Sequence, residues 1–538
     1  MSTIPTILIL LAVLALTSAL GKRVPVPAPL LLIVAGIGMS FVPGFEKVEI
    51  EPHVFFLLFI PPLLFADGWL IPKRELRNVI RPVLLLAFGL VFMTIFGVGL
   101  LIHWLIPSLP IAAAFALGAI VSPTDAVATS AMVQRANLPR RVTNILNGES
   151  LINDASGLVA FRFAVAALAT GTYSAIEIFG DLLLVSIGGA LIGVAIAWAI
   201  GKLRVALRNH CADDPSVQTV LSILTPFAAH LAAEHFQLSG ILAVVAGGLY
   251  AGWNDFRTLD ARTRQHAWEV WMMLLFVFNG LVFILLGISL THALTQLGGA
   301  DWHVYVGYAF MLWAALTALR LIWVFPSAYL PQLVSRRIRE RNKFRDPRQV
   351  FLVGWAGLRG SVTMAAALSI PLTLAGGEPF PERHLVVFLA ASTIVLTLLI
   401  NGLTLSWLVH AFRLPEDRVA SRDRRIAEIA LAQAATAALE REIATVSRPD
   451  EIAQARELMI RYARHADRHT ANADRLATLV HSDANERRLS MLALEAQRRE
   501  LYALLDAGTI SDGTLRDIEA RLDNAELSAL GPSRMPRH

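Results

Sequence analysis

The sequence predicts an all-α polytopic membrane protein with a helical cytoplasmic tail. Three observations lead there. Only 17% of the 538 residues are charged, against about 25% in an ordinary soluble chain. Those charges are unevenly divided, with 49 of 89 in residues 1–415 and 40 in residues 416–538, so the long first part is depleted and the last part is not. Apolar stretches also recur in the first part at a length that crosses a hydrocarbon core, for which about 20 helical residues suffice.

Thirteen stretches qualify: 4–20, 27–43, 53–71, 82–106, 110–133, 144–170, 180–201, 216–234, 238–253, 268–291, 303–330, 349–371 and 384–412. The first has no basic residues ahead of it, and Lys22 and Arg23 follow it. It therefore reads as a retained span rather than a cleaved signal. Loop charges test the count. Taking alternate loops from the one after the first span gives Lys22, Arg23; Lys73, Arg74, Arg77, Arg81; Arg135, Arg140, Arg141; and Lys202, Arg204, Arg208. Arg257, Arg262, Arg264 and seven more between Arg336 and Arg348 bring the total to 22. The opposite loops hold only Lys47 and Arg383. Basic residues collect on the cytoplasmic side, which places the N-terminus outside and the tail inside. It also explains the net charge of +5 without a nucleic-acid partner. A single cysteine, Cys211, excludes an intrachain disulfide.

The tail spaces Ile, Leu and Ala at helical intervals over 421–447 and 486–506, with Pro449, Gly508 and Gly513 as punctuation. It reads as a few amphipathic helices, either a solvated appendage or a regulatory or dimer-contacting element.

Ionisable groups inside a bilayer are costly and mark function. Away from the span ends there are seven: Asp67, Asp125, Glu149, Asp154, Arg162, Arg320 and Arg359. Asp125 follows Ser122-Pro123-Thr124 in mid-span. Proline there removes an amide donor and clashes with the preceding turn, so the helix breaks near 122–124. Broken backbone at membrane depth survives only within protein or beside a water-filled cavity, where half-helix ends and carbonyls coordinate ions.

The next span carries Asn147-Gly-Glu-Ser-Leu-Ile-Asn-Asp-Ala-Ser-Gly157. Ser150 and Asp154 are four residues apart and share a face, with Glu149 and Asn153 beside them. Two carboxylates, a hydroxyl and an amide form an all-oxygen set suited to a hard alkali cation, and a desolvated carboxylate also takes up a proton readily. Asp67 either completes this cavity or sits at the cytoplasmic mouth near Lys73. Arg320 stands among apolar residues and needs a buried carboxylate, for which Glu149 is the preferred partner. Arg359 lies among Gly354, Gly357 and Gly360, which suggests a second interrupted helix. Arg162 is eight residues beyond Asp154 and either snorkels to the outer headgroups or lines an outer funnel. The two interrupted spans are the fifth and the twelfth. Seven apart, they run in opposite directions, the sign of an inverted repeat, with the seventh span as connector.

These residues resemble the bacterial sodium/proton exchangers of the monovalent cation:proton antiporter superfamily, kin of the animal sodium/hydrogen exchangers. The resemblance runs in order over about 1–412. It rests on Phe-Ile-Pro-Pro-Leu-Leu-Phe-Ala-Asp (59–67), Ser-Pro-Thr-Asp-Ala-Val (122–127), Gly-Glu-Ser-Leu-Ile-Asn-Asp (148–154), Phe-Asn-Gly-Leu-Val-Phe (278–283) and Gly-Leu-Arg-Gly-Ser-Val (357–362).

The resemblance implies a homodimer in the bacterial inner membrane, with a dimer domain over about 1–81 and 216–291. It implies a mobile core over about 82–170 and 303–412, a linker helix over about 180–201, and crossed interrupted helices. It makes Asp154 the carboxylate shared by sodium and proton, supported by Asn153. Ser150 and the Thr124 backbone would help ligate Na+, and Asp67 would stand near the site from the dimer domain. Asp125 and Arg359 would stabilise the crossing and Glu149 would pair with Arg320. Asn at 153, where electrogenic relatives carry a second Asp, implies electroneutral one-for-one exchange by an elevator-like shift of the core. No cofactor is implied, with Na+ (or Li+ or K+) and H+ as cargo, and the chain would be a secondary transporter serving pH and sodium homeostasis rather than an enzyme.

Three rivals fit less well. A channel wants repeated carbonyl or charge rings, and one discrete site is present instead. An intramembrane aspartyl hydrolase using Asp125 and Asp154 leaves Asn153, Ser150 and both buried arginines without a role. A cation sensor acting through the tail finds no kinase, phosphatase or nucleotide motif there.

Overall fold

The computed structural model describes residues 3–21, 23–24, 26–43, 45, 51–133, 138–170, 175–210, 214–297, 302–334, 346–374, 377–412, 418–445, 448–470 and scattered positions between 491 and 526. Lys22, Lys47, Arg135, Cys211, residues 336–345 of the basic run, Gly508, Gly513 and much of the 486–506 stretch lie outside them. The chain divides into two compact units, 1–415 and 416–538.

The first unit is helical. Its elements are α1 (Thr3–Gly21), α2 (Ala28–Ser40), α3 (Pro52–Leu70), α4 (Lys73–Leu105), α5 (Ile111–Val121), α6 (Ala126–Val133), α7 (Arg140–Thr170) and α8 (Ala175–His210). They continue with α9 (Pro215–His235), α10 (Gly240–Thr258), α11 (Ala261–Gln296), α12 (Trp302–Val334), α13 (Pro347–Trp355), α14 (Ser361–Leu368) and α15 (Arg383–Ala411). Among the described residues eight helices are long and apolar enough to cross a bilayer, and three shorter ones are apolar. No strand occurs among those residues beyond an isolated Thr373–Pro379 bridge.

Local chemistry sets the helix starts. Asp214 and Asp346 each precede a proline at the first helical position and accept from the amides of Ser216 at 2.7 Å and Arg348 at 2.9 Å. Ser239 and Asp260 cap α10 and α11 in the same way. A side-chain acceptor followed by a residue with no amide to satisfy is a strong start signal.

The helices run further than their apolar stretches. Lys73–Arg81, Arg140–Arg141, Lys202–Arg208 and Arg262–Arg264 were expected in loops and are helical. A boundary at 81–82 therefore falls inside the continuous α4, and the break lies at Ile71–Pro72. The proposed linker 180–201 is part of a helix extending from 175 to 210. Apolar length marks the part of a helix that meets lipid, whereas backbone hydrogen bonding continues into the aqueous interface.

Small residues let the helices meet at backbone distance, as expected where lipid removes the ordinary hydrophobic drive. A Cβ on Gly36 would strike the Ile284 carbonyl, and one on Gly287 the Ile33 carbonyl, which locks α2 to α11. Gly193 meets Ala243 across α8 and α10, and Gly248 meets Phe65 across α10 and α3. Of the long apolar helices α15 is the most enclosed and α8 the least.

Two polar clusters brace this packing, the first of them buried. Arg204, expected as a loop charge, is buried on α8. It donates to both Asp255 oxygens at 3.0 Å and to Gln218 Oε1 at 3.1 Å, while Trp69 Nε1 reaches Asp255 at 3.3 Å. The other cluster uses π-type turns at Leu85–Leu90 of α4 and Thr397–Gly402 of α15. Such turns free carbonyls for side-chain donors. Trp323 Nε1 takes Leu85 O at 2.9 Å and Ser156 Oγ takes Ala87 O at 2.8 Å. At the second turn Asn401 donates to Trp355 O at 3.1 Å, satisfying the end of α13.

In the second unit α16 (Arg418–Thr445) packs with α17 (Pro449–Thr470). A small cluster of Leu494, Leu501 and Leu522 is buried further along.

Candidate functional site

Two helices break where the sequence expects. α5 stops at Val121 and α6 begins at Ala126, leaving Ser122–Asp125 between. α13 stops at Trp355 and α14 begins at Ser361, leaving Ala356–Gly360 between. The two connectors touch through the main chain, with the Asp125 amide donating to Leu358 O at 2.8 Å.

Each connector contributes one charge, and each charge serves both breaks. Asp125 Oδ1 accepts from Ala128 N at 2.9 Å, capping α6, while Oδ2 accepts from Ser361 N at 3.0 Å, at the start of α14. Arg359 Nε donates to Val121 O at 2.6 Å, at the end of α5, and Nη1 to Gly357 O at 3.0 Å, just beyond α13. Helix N-termini carry partial positive charge and C-termini partial negative charge. A carboxylate between two N-termini and a guanidinium by two C-termini are thus each on the favourable side. Thr397 Oγ1 accepts from the Arg359 amide at 3.2 Å, and Thr129 Oγ1 donates to Asp125 O at 2.8 Å.

The crossing leaves no room at Gly360, where a Cβ would land on the Asp125 carboxylate. That carboxylate is held by two amides and cannot retreat. Gly360→Ala is expected to destabilise the protein by about 1–3 kcal/mol. Gly307→Ala, within α12 and with nothing within 4 Å of the new carbon, should be neutral to stabilising by up to about 1 kcal/mol. Thermal unfolding in detergent compares them, and equal melting temperatures would defeat the account.

α7 passes beside the crossing and supplies the remaining groups. Glu149 and Arg320 form an ion pair with side chains 0% and 2% exposed. Arg320 Nη2 lies 2.8 Å from Glu149 Oε2, and Nε and Nη2 also donate to Val353 O at 3.2 and 3.0 Å. Thr124 Oγ1 donates to Glu149 Oε1 at 3.3 Å and accepts from Asn153 Nδ2 at 2.8 Å. That hydroxyl donates once and accepts once, which leaves one lone pair, and Thr124 stands behind the residues that line the cavity. Ser150 Oγ accepts from Ala126 N at 3.2 Å, which leaves a second lone pair.

Asp154 is 2% exposed, and its Oδ1 has no hydrogen-bond partner. Buried polar atoms are nearly always paired, and an unpaired one calls for a reason. Asp154 lines a small cavity with Ser150, Asp125, Asp67, Asn279 and Ser361, under apolar Leu63, Val127, Leu275 and Val362. The structure therefore brings Asp154, Ser150, Asp125 and Asp67 to one cavity. It sets Asn153, Thr124, Glu149, Arg320 and Arg359 behind it. Asp67 comes from α3. Lys73, its alternative neighbour, donates to Trp69 O at 3.2 Å.

Sequence reasoning passed over three groups. Asn279 and Ser361 line the cavity, although Asn279 stands as a lone amide in an apolar span. Glu234, at the end of α9, takes the Arg162 guanidinium.

Comparison with known proteins places this arrangement. Residues 9–411 match a family described as sodium/hydrogen exchanger, transmembrane. The sodium, potassium, lithium and rubidium/H+ antiporter of Bacillus pumilus is 42% identical over 405 residues, 74% of this chain and 60% of that protein. This chain thus spans about three fifths of that relative. The uncharacterized Na+/H+ exchanger YjcE of Escherichia coli is 36% identical over 97% of this chain and 98% of its own. The sodium proton antiporter MjNhaP1 of Methanocaldococcus jannaschii shares the fold with a TM-score of 0.57. Its identity is 18%, over 76% of this chain and 97% of that one.

Proposed function

The chain belongs to the sodium/hydrogen exchanger family, and from that premise we propose that it exchanges sodium for protons across a bacterial plasma membrane, using Asp154 as the shared site. The observation that carries the proposal is the unpartnered Asp154 oxygen, buried against a cavity that also holds Ser150 and Asp67. A carboxylate so placed is satisfied either by a proton or by a desolvated cation, and not by both.

Mutual exclusion yields exchange by linkage. With either cargo bound the Asp154 charge is cancelled. The empty site keeps its charge, and carrying it across a low-dielectric barrier is costly. Only loaded forms move, and one charge in trades for one charge out. Asn153 supports electroneutral stoichiometry, since its amide adds no second titrating group. The Asp125 and Arg359 contacts tie the two broken helices into one body with α7. That supports an elevator-like movement of this body, built on thirteen spans with an inverted repeat, against a dimerising scaffold. The basic residues gathered on alternate ends of the spans support an outer N-terminus and a cytoplasmic tail. Similarity to the sodium, potassium, lithium and rubidium/H+ antiporter of Bacillus pumilus supports lithium and potassium as alternative cargo for the same oxygen ligands.

The test is internal pH in reconstituted vesicles after addition of sodium, potassium or lithium. Sodium-driven alkalinisation that saturates, and that a voltage clamp by valinomycin with equal potassium on both sides does not alter, is the expected result. Current accompanying flux would defeat the one-for-one stoichiometry, and absence of any cation-driven proton movement would defeat the function.

A further inference from the structure

We propose that Arg162 and Glu234 form an outer latch, which closes the Asp154 cavity on the side away from the basic loops and opens in each cycle. The inference rests on the exchange reading for its role and on geometry for its existence. Arg162 lies on α7, eight residues beyond Asp154, and so about 12 Å further along the helix and turned about 80° round it. The opposite end of α7 begins with Arg140 and Arg141 at the basic side.

The guanidinium meets two groups, and a histidine stands beside both. Its Nη1 pairs with Glu234 Oε1 of α9. Its carbon stands 5.0 Å from the centre of the Phe56 ring of α3, a cation–π distance. His230, one turn before Glu234, lies with Nε2 3.9 Å from the same carboxylate oxygen and its ring 6.0 Å from Phe56. Arg162 therefore fastens the helix bearing Asp154 to α9 and to α3, which bears Asp67.

The contrast with Glu149–Arg320 assigns the two pairs different duties. That pair is sealed from water and joins α7 to α12, so separating it would strand a charge in the interior. The Arg162 and Glu234 side chains are 38% and 35% exposed. Glu234 stands one residue from the end of α9, where headgroups and interfacial water solvate charges that part, and exposed pairs are weak. A pair that must break and re-form in every cycle needs that property, whereas a pair that travels inside one body does not.

Accessibility tests the latch independently of transport. Leu63, which lines the cavity, is replaced by cysteine in a Cys211→Ser chain first shown to fold. A membrane-impermeant thiol reagent is then applied to either side of oriented vesicles. Arg162→Gln and Glu234→Gln should each raise labelling from the outer side about fivefold and leave labelling from the inner side unchanged. The charge-swapped Arg162→Glu/Glu234→Arg chain should return outer labelling toward the parent rate. Unchanged labelling in both single variants overturns the latch. So does an equal rise from both sides, which marks general loosening, or a swapped chain that labels like the single variants. Sodium-driven proton movement in the same vesicles separates the two readings. Its absence from the parent strikes the exchange function and leaves the accessibility result standing.

Discussion

Asp154→Asn is expected to reduce cation-driven proton movement to the rate of protein-free vesicles while leaving a folded protein. The amide is nearly isosteric with the carboxylate, so the cavity keeps its shape. What disappears is the group that titrates and the negative charge that offsets a desolvated cation. A neutral amide binds neither cargo in exchange for the other, and the linkage that couples the two fluxes is gone. Folding should tolerate the change, because Asp154 Oδ1 contributes no hydrogen bond that could be lost. Ser150→Ala is the graded companion. It removes a hydroxyl that lines the cavity and the acceptor for the Ala126 amide, so on the proposed site it should weaken apparent sodium affinity without abolishing exchange. Vesicle pH traces with size-exclusion profiles separate loss of site from loss of fold. Exchange that persists in a well-folded Asp154→Asn chain would move the site elsewhere in the cavity, with Asp67 the next carboxylate to replace.

The same residues indicate what a sequence makes legible. The break at 122–125 could be read because proline announces itself, and the break at 356–360 because three glycines in seven residues do. A guanidinium in an apolar run must find a carboxylate, so the Glu149–Arg320 contact follows from energetics without coordinates. The Arg162 partner did not follow. Glu234 sits at a helix end, where a charge has an ordinary interfacial explanation, and nothing periodic connects positions 72 residues apart. Arg204 was misread for a related reason. Near a span end it was counted as a topological charge, whereas tertiary packing carries it inward to Asp255. The π-type turns were invisible because they depend on which donors arrive from other helices. Asn279 was within reach, since a lone amide in an apolar span is the same kind of signal that pointed to Asp154. The sharing of Asp125 and Arg359 by two helix ends each was not, because it needs the crossing in space.

Removing one member of the Glu149–Arg320 pair is expected to be the most damaging single change to stability, by about 3–5 kcal/mol. Glu149→Gln strands a fully buried guanidinium, and Arg320→Gln strands a fully buried carboxylate. The site around them offers partial relief only. Val353 O continues to accept from Arg320, and Thr124 Oγ1 continues to donate to Glu149, but neither supplies a countercharge. Reversing the pair, with Glu149→Arg and Arg320→Glu, should fail to rescue. The new carboxylate would face the Val353 carbonyl, which needs a donor, and the new guanidinium would face the Thr124 hydroxyl, which already receives the Asn153 amide. Replacing both by methionine should recover part of the loss, because no charge is then left unpaired, while Val353 O and the Thr124 hydroxyl lose their partners. Thermal unfolding of the two single variants, the reversal and the double methionine chain, taken as a cycle, distinguishes the cases. If each single variant melts within about 1 kcal/mol of the parent, as exposed pairs do, the pair is reached by water and the division between a permanent inner bridge and a breakable outer one fails. If instead the reversal restores the parent stability, charge alone holds α7 to α12. The Val353 and Thr124 hydrogen bonds would then be incidental to where α7 holds Asp154.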